Sequence, residues 1–257
     1  MKIALIISIF SMFYFKANSQ TNITSFTGGT TIVIVTAQNN IWISADSKGN
    51  ENTGKGIKNF TECKIGKSKN AFFATAGRFT SMNGIENEKE IKIFDIDRIL
   101  ANSIETTANI DEATANAASV ITQVLNRIIP PTKISNPNIY KMFNGLMFKS
   151  AICTFENNVN KLNTIQVSFI NDRLKIETLS HVGGSGVLRL GLFESILKHH
   201  SENPHYLMDS IDMKNKLEFL IGLEIKAHPS DVGLPIDVLE INRDNTYKWL
   251  SEDRKCF

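Results

Sequence analysis

Residues 30–36, Thr30-Thr31-Ile32-Val33-Ile34-Val35-Thr36, form an almost unbroken β-branched run, the pattern that most restricts what this chain can fold into. Branching at Cβ suits the pleated surface of a strand and disfavours the preceding turn of a helix. Gln38-Asn39-Asn40 supplies turn residues, and Ile41-Trp42-Ile43-Ser44-Ala45 returns as a second strand, so a hairpin opens the domain. A polar, glycine-bearing loop from Lys48 to Lys58 follows. The short segment Cys63-Lys64-Ile65 and the apolar run Ala71–Ala76, stopped by Gly77, read as a second hairpin.

Between Ile91 and Arg127 the period becomes helical. Ile93, Ile96, Ile99 and Leu100 share one face, with Asp95, Asp97 and Arg98 as polar members. Ala113, Ala117, Val120, Ile121 and Val124 repeat the pattern, with Asp111 as N-cap, and Pro130-Pro131 ends the pair of helices. The stretch from Pro130 to Asn144 reads as a loop. Strands are expected at Phe148–Phe155, Leu162–Ile170 and Leu174–His181. Gly183-Gly184-Ser185-Gly186 then leads into a helix over Val187–His199, and a second helix covers Met213–Ala227. Strands at Ile236–Ile241 and Tyr247–Leu250 close the order. Strands and helices in blocks, without strict alternation, predict an α+β layered domain. The chain shows no repeat and no linker, so one domain is expected from Thr30 to Phe257.

The first 19 residues, MKIALIISIFSMFYFKANS, set one lysine before a mostly apolar run of 13 residues, Ile3–Phe15, and then Ala17-Asn18-Ser19. This is the pattern of a secretory signal peptide, and the run is shorter than the roughly 20 residues that span a bilayer. Secretion or a periplasmic location is the expectation. Removing residues 1–19 takes away Lys2 and Lys16 and no acid, leaving 26 of the 28 basic residues against 26 acidic ones. That balance argues against a nucleic-acid partner. Three widely spaced cysteines, Cys63, Cys153 and Cys256, form no zinc pattern. In an oxidising compartment two of them can pair, and the sequence does not say which. His199, His200 and His205 lie near one another without a set of carboxylate partners, so neither a metal nor a cofactor is expected.

Gly28-Gly29-Thr30-Thr31-Ile32-Val33, then Ala45-Asp46-Ser47-Lys48, then Lys64, then Ala76-Gly77 occur in an order and spacing that resembles a proteasome β-type subunit or the related bacterial HslV-like peptidase. Gly184-Ser185-Gly186 is similar to that family's late Gly-Ser-Gly. The resemblance implies an N-terminal nucleophile (Ntn) hydrolase with a four-layer αββα sandwich. It also implies self-cleavage at Gly29-Thr30, so that residues 20–29 form a short propeptide and residues 30–257 the working domain. A threonine hydroxyl is a poor nucleophile near neutral pH, and the freed α-amino group, with a pKa of about 7.7–8.0, is a suitable base.

Under that resemblance Lys64 favours the deprotonated hydroxyl, Asp46 pairs with Lys64 and orients it, and the Gly77 N–H stabilises the oxyanion. Ser185 helps pass the Thr30 amine proton. Two departures stand out. Lys48 replaces the usual arginine, losing a bidentate fork. His228-Pro229-Ser230-Asp231-Val232-Gly233-Leu234 replaces the family's Asp-x-x-Ser-Gly-Gly, so Ser230 and Asp231 are candidates for a shifted relay. The expected function is an exported threonine-type peptidase or amidohydrolase acting on short or unfolded peptides or small amides. No ATP-driven unfoldase is expected outside the cytoplasm, and a homo-oligomer is expected by analogy. The alternative is a non-catalytic structural or ligand-binding subunit.

Overall fold

The computed structural model describes residues 23–53, 56–86, 88–207, 211–251 and 256–257. The signal-peptide segment and the first three residues of the expected propeptide lie outside them. Nine strands come first: β1 (Ile23–Gly28), β2 (Thr31–Thr36), β3 (Asn40–Asp46), β4 (Lys48–Asn52), β5 (Ile57–Thr61), β6 (Ile65–Ser68), β7 (Ala71–Gly77), β8 (Ser81–Glu86) and β9 (Lys89–Asp95). Three helices follow, α1 (Ile96–Thr106), α2 (Ile110–Ser135) and α3 (Pro137–Met142). Then come β10 (Gly145–Glu156), β11 (Val159–Ile170), β12 (Arg173–Val182), β13 (Gly186–Gly191), α4 (Glu194–Glu202), α5 (Met213–Ala227), β14 (Ile236–Asn242) and β15 (Tyr247–Trp249).

The strands form three five-stranded antiparallel sheets, ordered β5-β4-β1-β8-β9, β12-β11-β10-β7-β6 and β13-β2-β3-β14-β15. This corrects the expected α+β, four-layer αββα sandwich: the described chain is mostly β, with a third full sheet that a four-layer arrangement does not contain. The physical source of the extra sheet is the polar stretch after Asp46. Its side chains give no strand signal, but its backbone pairs with β1, Gly28 opposite Asn50 and Phe26 opposite Asn52. On its other side β1 pairs with β8, Thr27 opposite Ser81. Segment 23–28, expected to lie in a propeptide, is thus the middle strand of a sheet.

Alternation along the strands builds the core. Ile32, Ile34, Ile41 and Ile43 face Phe72, Ala74, Ala151 and Cys153 in one apolar layer between two sheets. Val33, Val35 and Trp42 point the other way, onto Leu217, Leu220 and Ile221 of α5. A third cluster joins Phe79, Met82 and Phe94 to α1, α2 and Phe148.

Several boundaries differ from the sequence reading for identifiable reasons. The helical period expected from Ile91 begins only at Ile96, because residues 89–95 pair with β8, and the expected loop Pro130–Asn144 contains α3, capped by the Asn136 side chain. Asn109 caps α2, its side chain accepting from the Glu112 N–H, in place of Asp111. The helix runs through Pro130-Pro131 to Ser135, because Ile128, Ile129 and Thr132 are buried in the core and tertiary packing overrides the local penalty. Residues 186–191, whose Val187, Leu188 and Leu190 spacing also suits a helix, form a strand because their backbone pairs with β2.

Cys63 and Cys256 form a disulfide closing a span of 193 residues, and Cys153 is free and buried. Burial in the apolar layer pushes the Cys153 thiol up to about 12, so it is inert as a nucleophile. Loss of so long a cross-link is expected to cost about 2–5 kcal/mol, by constraint of the unfolded chain. Urea unfolding of the oxidised protein beside Cys63→Ser/Cys256→Ser measures it.

Candidate functional site

The chain passes from β1 in one sheet to β2 in another through two residues, Gly29 and Thr30. Gly29 makes the turn at φ +84°, a conformation that favours glycine. Its N–H donates to the Gly77 carbonyl at 2.8 Å, and the Leu192 N–H donates to the Thr30 carbonyl at 3.1 Å. The joint is therefore held on both sides of the Gly29–Thr30 peptide bond.

Antiparallel pairing of β2 with β3 sets Ile32 opposite Ala45, which delivers Asp46 beside Thr31 at the same end. Asp46 is fully buried. Its Oδ1 accepts from the Thr30 hydroxyl and the Thr31 N–H, both at 2.7 Å, and its Oδ2 from the N–H groups of Lys48 and Gly233, both at 3.2 Å. Burial raises the Asp46 pKa, while these donors and the charge of Lys64 oppose the rise. A carboxylate that is harder to ionise than usual is also a stronger proton acceptor, and it sits directly on the hydroxyl of a buried threonine.

Lys64 leads into β6 immediately after the disulfide-bonded Cys63. Its ammonium pairs with the Glu62 carboxylate and donates to the Gly29 carbonyl oxygen at 3.4 Å. Asp46 thus bonds to Thr30, where an ion pair with Lys64 was expected. Glu62 holds the lysine in its stead. Sequence reading missed Glu62, although Glu62-x-Lys64 is the spacing that puts two side chains on one face of an extended segment.

Gly77 reaches the joint, and the atom that meets it is its carbonyl oxygen, in contact with the Gly29 N–H. A side chain at Gly77 would collide with the backbone of Met147 and Phe148, at 2.4 Å.

Ser185 lies elsewhere. β13 runs antiparallel to β2, with Gly186 opposite Thr36 and Gly191 opposite Thr31. The exposed Ser185 is therefore at the far end of the strand pair, seven residues or about 23 Å along it from Thr30 at roughly 3.3 Å per residue. The residue that meets Thr30 from β13 is Gly191. The glycine between Leu190 and Leu192 was a signal that the helical reading of this segment hid.

Ser230 and Asp231 lie in a turn on the Gly29 side. The Ser230 hydroxyl donates to Asp231 Oδ2 at 2.6 Å, and Asn50 Nδ2 reaches Asp231 Oδ1 at 3.4 Å. Their side chains engage each other and Asn50, while the same turn reaches Asp46 through the Gly233 N–H. Lys48 ties the turn down with a single bond to the Pro229 carbonyl, 2.7 Å.

One potential metal-ligand cluster occurs among the described residues, Cys63, Cys256 and Asp237, with ligand atoms within 4.8 Å of one another. The disulfide between its two cysteines withholds both thiolates. Among the described residues no helix is long and apolar enough to cross a membrane. No family model and no curated protein matches this chain.

Proposed function

We propose that the protein is an exported threonine-nucleophile amidohydrolase that first cuts its own Gly29–Thr30 bond. The observation that carries the reading is one arrangement. The Thr30 hydroxyl bonds to a buried carboxylate at 2.7 Å, and the carbonyl oxygen of the preceding peptide bond faces an ammonium at 3.4 Å. A base on the nucleophile and a cation on the electrophile are the two requirements of acyl transfer. The reading rests on this site and on the resemblance of the residues that build it, and not on the sheet architecture.

Thr30 Oγ1 attacks the Gly29 carbonyl carbon while its proton passes to Asp46. Lys64 stabilises the oxyanion. Breaking the C–N bond returns the proton to the leaving nitrogen and leaves an ester between Gly29 and the Thr30 oxygen. Water then hydrolyses the ester, giving a Gly29 carboxylate and a free Thr30 amine. The freed amine is the base for later turnovers on short or unfolded peptides or small amides, which require Gly29 and its new carboxylate to swing off the bond to Gly77 while residues 23–28 stay paired.

A specific observation favours a second reading, a non-catalytic subunit that keeps its N-terminus: segment 23–28 is bonded on both sides within a sheet. Intact mass and N-terminal sequencing of the exported protein beside Thr30→Ala separate the two. The first reading expects the wild-type main chain to begin at Thr30, with the variant uncut. An uncut chain in both would overturn it. Failure of the cut protein to hydrolyse any member of a broad peptide and N-acyl panel would overturn the substrate class.

A further inference from the structure

Arg189 stands opposite Val33 in the β13–β2 ladder, on the edge strand of its sheet. Its neighbours Leu188 and Leu190 pack into the layer between two sheets. Alternation therefore sends Arg189, with Val187, to the face covered by α4 and α5. The residue as a whole is half-buried, yet its Nε and Nη2 atoms are covered and make no hydrogen bond. These two nitrogens form one edge of the guanidinium, the fork that donates to two oxygens of one anion side by side. A covered donor edge with no acceptor is unfavourable even where the rest of the side chain is in water.

His200 in the last turn of α4 lies within electrostatic range, and the Arg189 charge helps to depress the His200 pKa after burial, the larger cause. No carboxylate of the described residues is in ion-pair contact with the guanidinium.

We propose that Arg189, with His200 nearby, forms a binding site for a small oxyanion, a phosphate or a carboxylate. This inference is independent of the Thr30 reading, since the fork lies on the helix side of the sheet. The anion would supply the missing acceptor pair, and the His200 imidazole would add a favourable charge when protonated.

Inorganic phosphate and acetate, titrated separately against the full chain by calorimetry and thermal unfolding, test it with Arg189→Met and Arg189→Lys. The wild type is expected to bind at least one of the two and to unfold at higher temperature in its presence. Which one binds identifies the source as phosphate or as a carboxylate such as a peptide terminus. Arg189→Lys keeps the charge but not the fork and should bind at least about tenfold more weakly, as expected for loss of a bidentate contact. Arg189→Met should not respond, and without anion it should unfold no lower than the wild type. No response to either anion in the wild type, or an equal response in the variants, would overturn the proposal. So would an Arg189→Met protein that unfolds several degrees lower in anion-free buffer, because the guanidinium would then already have a partner within the chain.

Discussion

Gly191→Ala is expected to lower folding stability by at least about 4 kcal/mol, in the range reserved for a defined structural break. Its φ is +80°, and a Cβ there would sit 1.8 Å from the Thr30 carbonyl oxygen, far inside contact distance. The backbone of β13 or of the Thr30 joint must then move, and the Leu192 N–H to Thr30 bond is lost with it. Gly184→Ala is the control. Its φ is +81° and nothing lies within 4 Å of the added atom, so it meets only the backbone strain of about 1–2 kcal/mol. Chemical unfolding of the two variants side by side isolates the collision. Equal losses would show that the joint accommodates a side chain.

Asp46→Ala is the second large effect. It strands four donors around a covered space: the Thr30 hydroxyl and the N–H groups of Thr31, Lys48 and Gly233. Each unsatisfied group costs about 1–3 kcal/mol, and with partial relaxation a total loss of roughly 3–5 kcal/mol is expected. Asp46→Asn is no full rescue, because its amide NH₂ must face two donors whichever way it is turned. The pH dependence has a defined sign. The folded pKa of Asp46 is raised above its unfolded value, chiefly by burial. Its contribution to stability is therefore fully present below the unfolded value and is lost as pH rises through the folded value. Self-cleavage requires the ionised form as base, so its rate should rise over that same interval, at higher pH than an exposed aspartate would give. Cleavage followed by mass against pH reads this directly, and a rate that is flat across the acid range would exclude Asp46 as the base.

The parts of this fold that could be read in advance are those in which side chains carry the pattern. β2 and β3 follow from uninterrupted apolar and β-branched residues, and α5 from its apolar spacing over Met213–Ala227. β4 and β5, with the sequences KGNEN and IKNFT, could not be read that way, because their strand character comes from backbone pairing with β1 and with each other. The same division runs through the site. Thr30 and Asp46 come together through a hairpin whose register is set locally. Ser185 is displaced and Gly191 takes the place beside Thr30, because the register of β13 on β2 is fixed by contacts some 150 residues apart in sequence. Glu62 was hidden for another reason: its role depends on where Lys64 points.

The position of β1 has a consequence for assembly. A cut after Gly29 would not detach residues 23–28, which remain bonded to β4 and β8 on either side. The product would be a two-piece protein, in which the short fragment complements the long one as a non-covalent strand. Folding of the intact chain is a first-order event, whereas recovery of the cut chain after unfolding would require a second-order encounter. The uncut form would refold at any dilution, and the cut form would lose that ability as concentration falls.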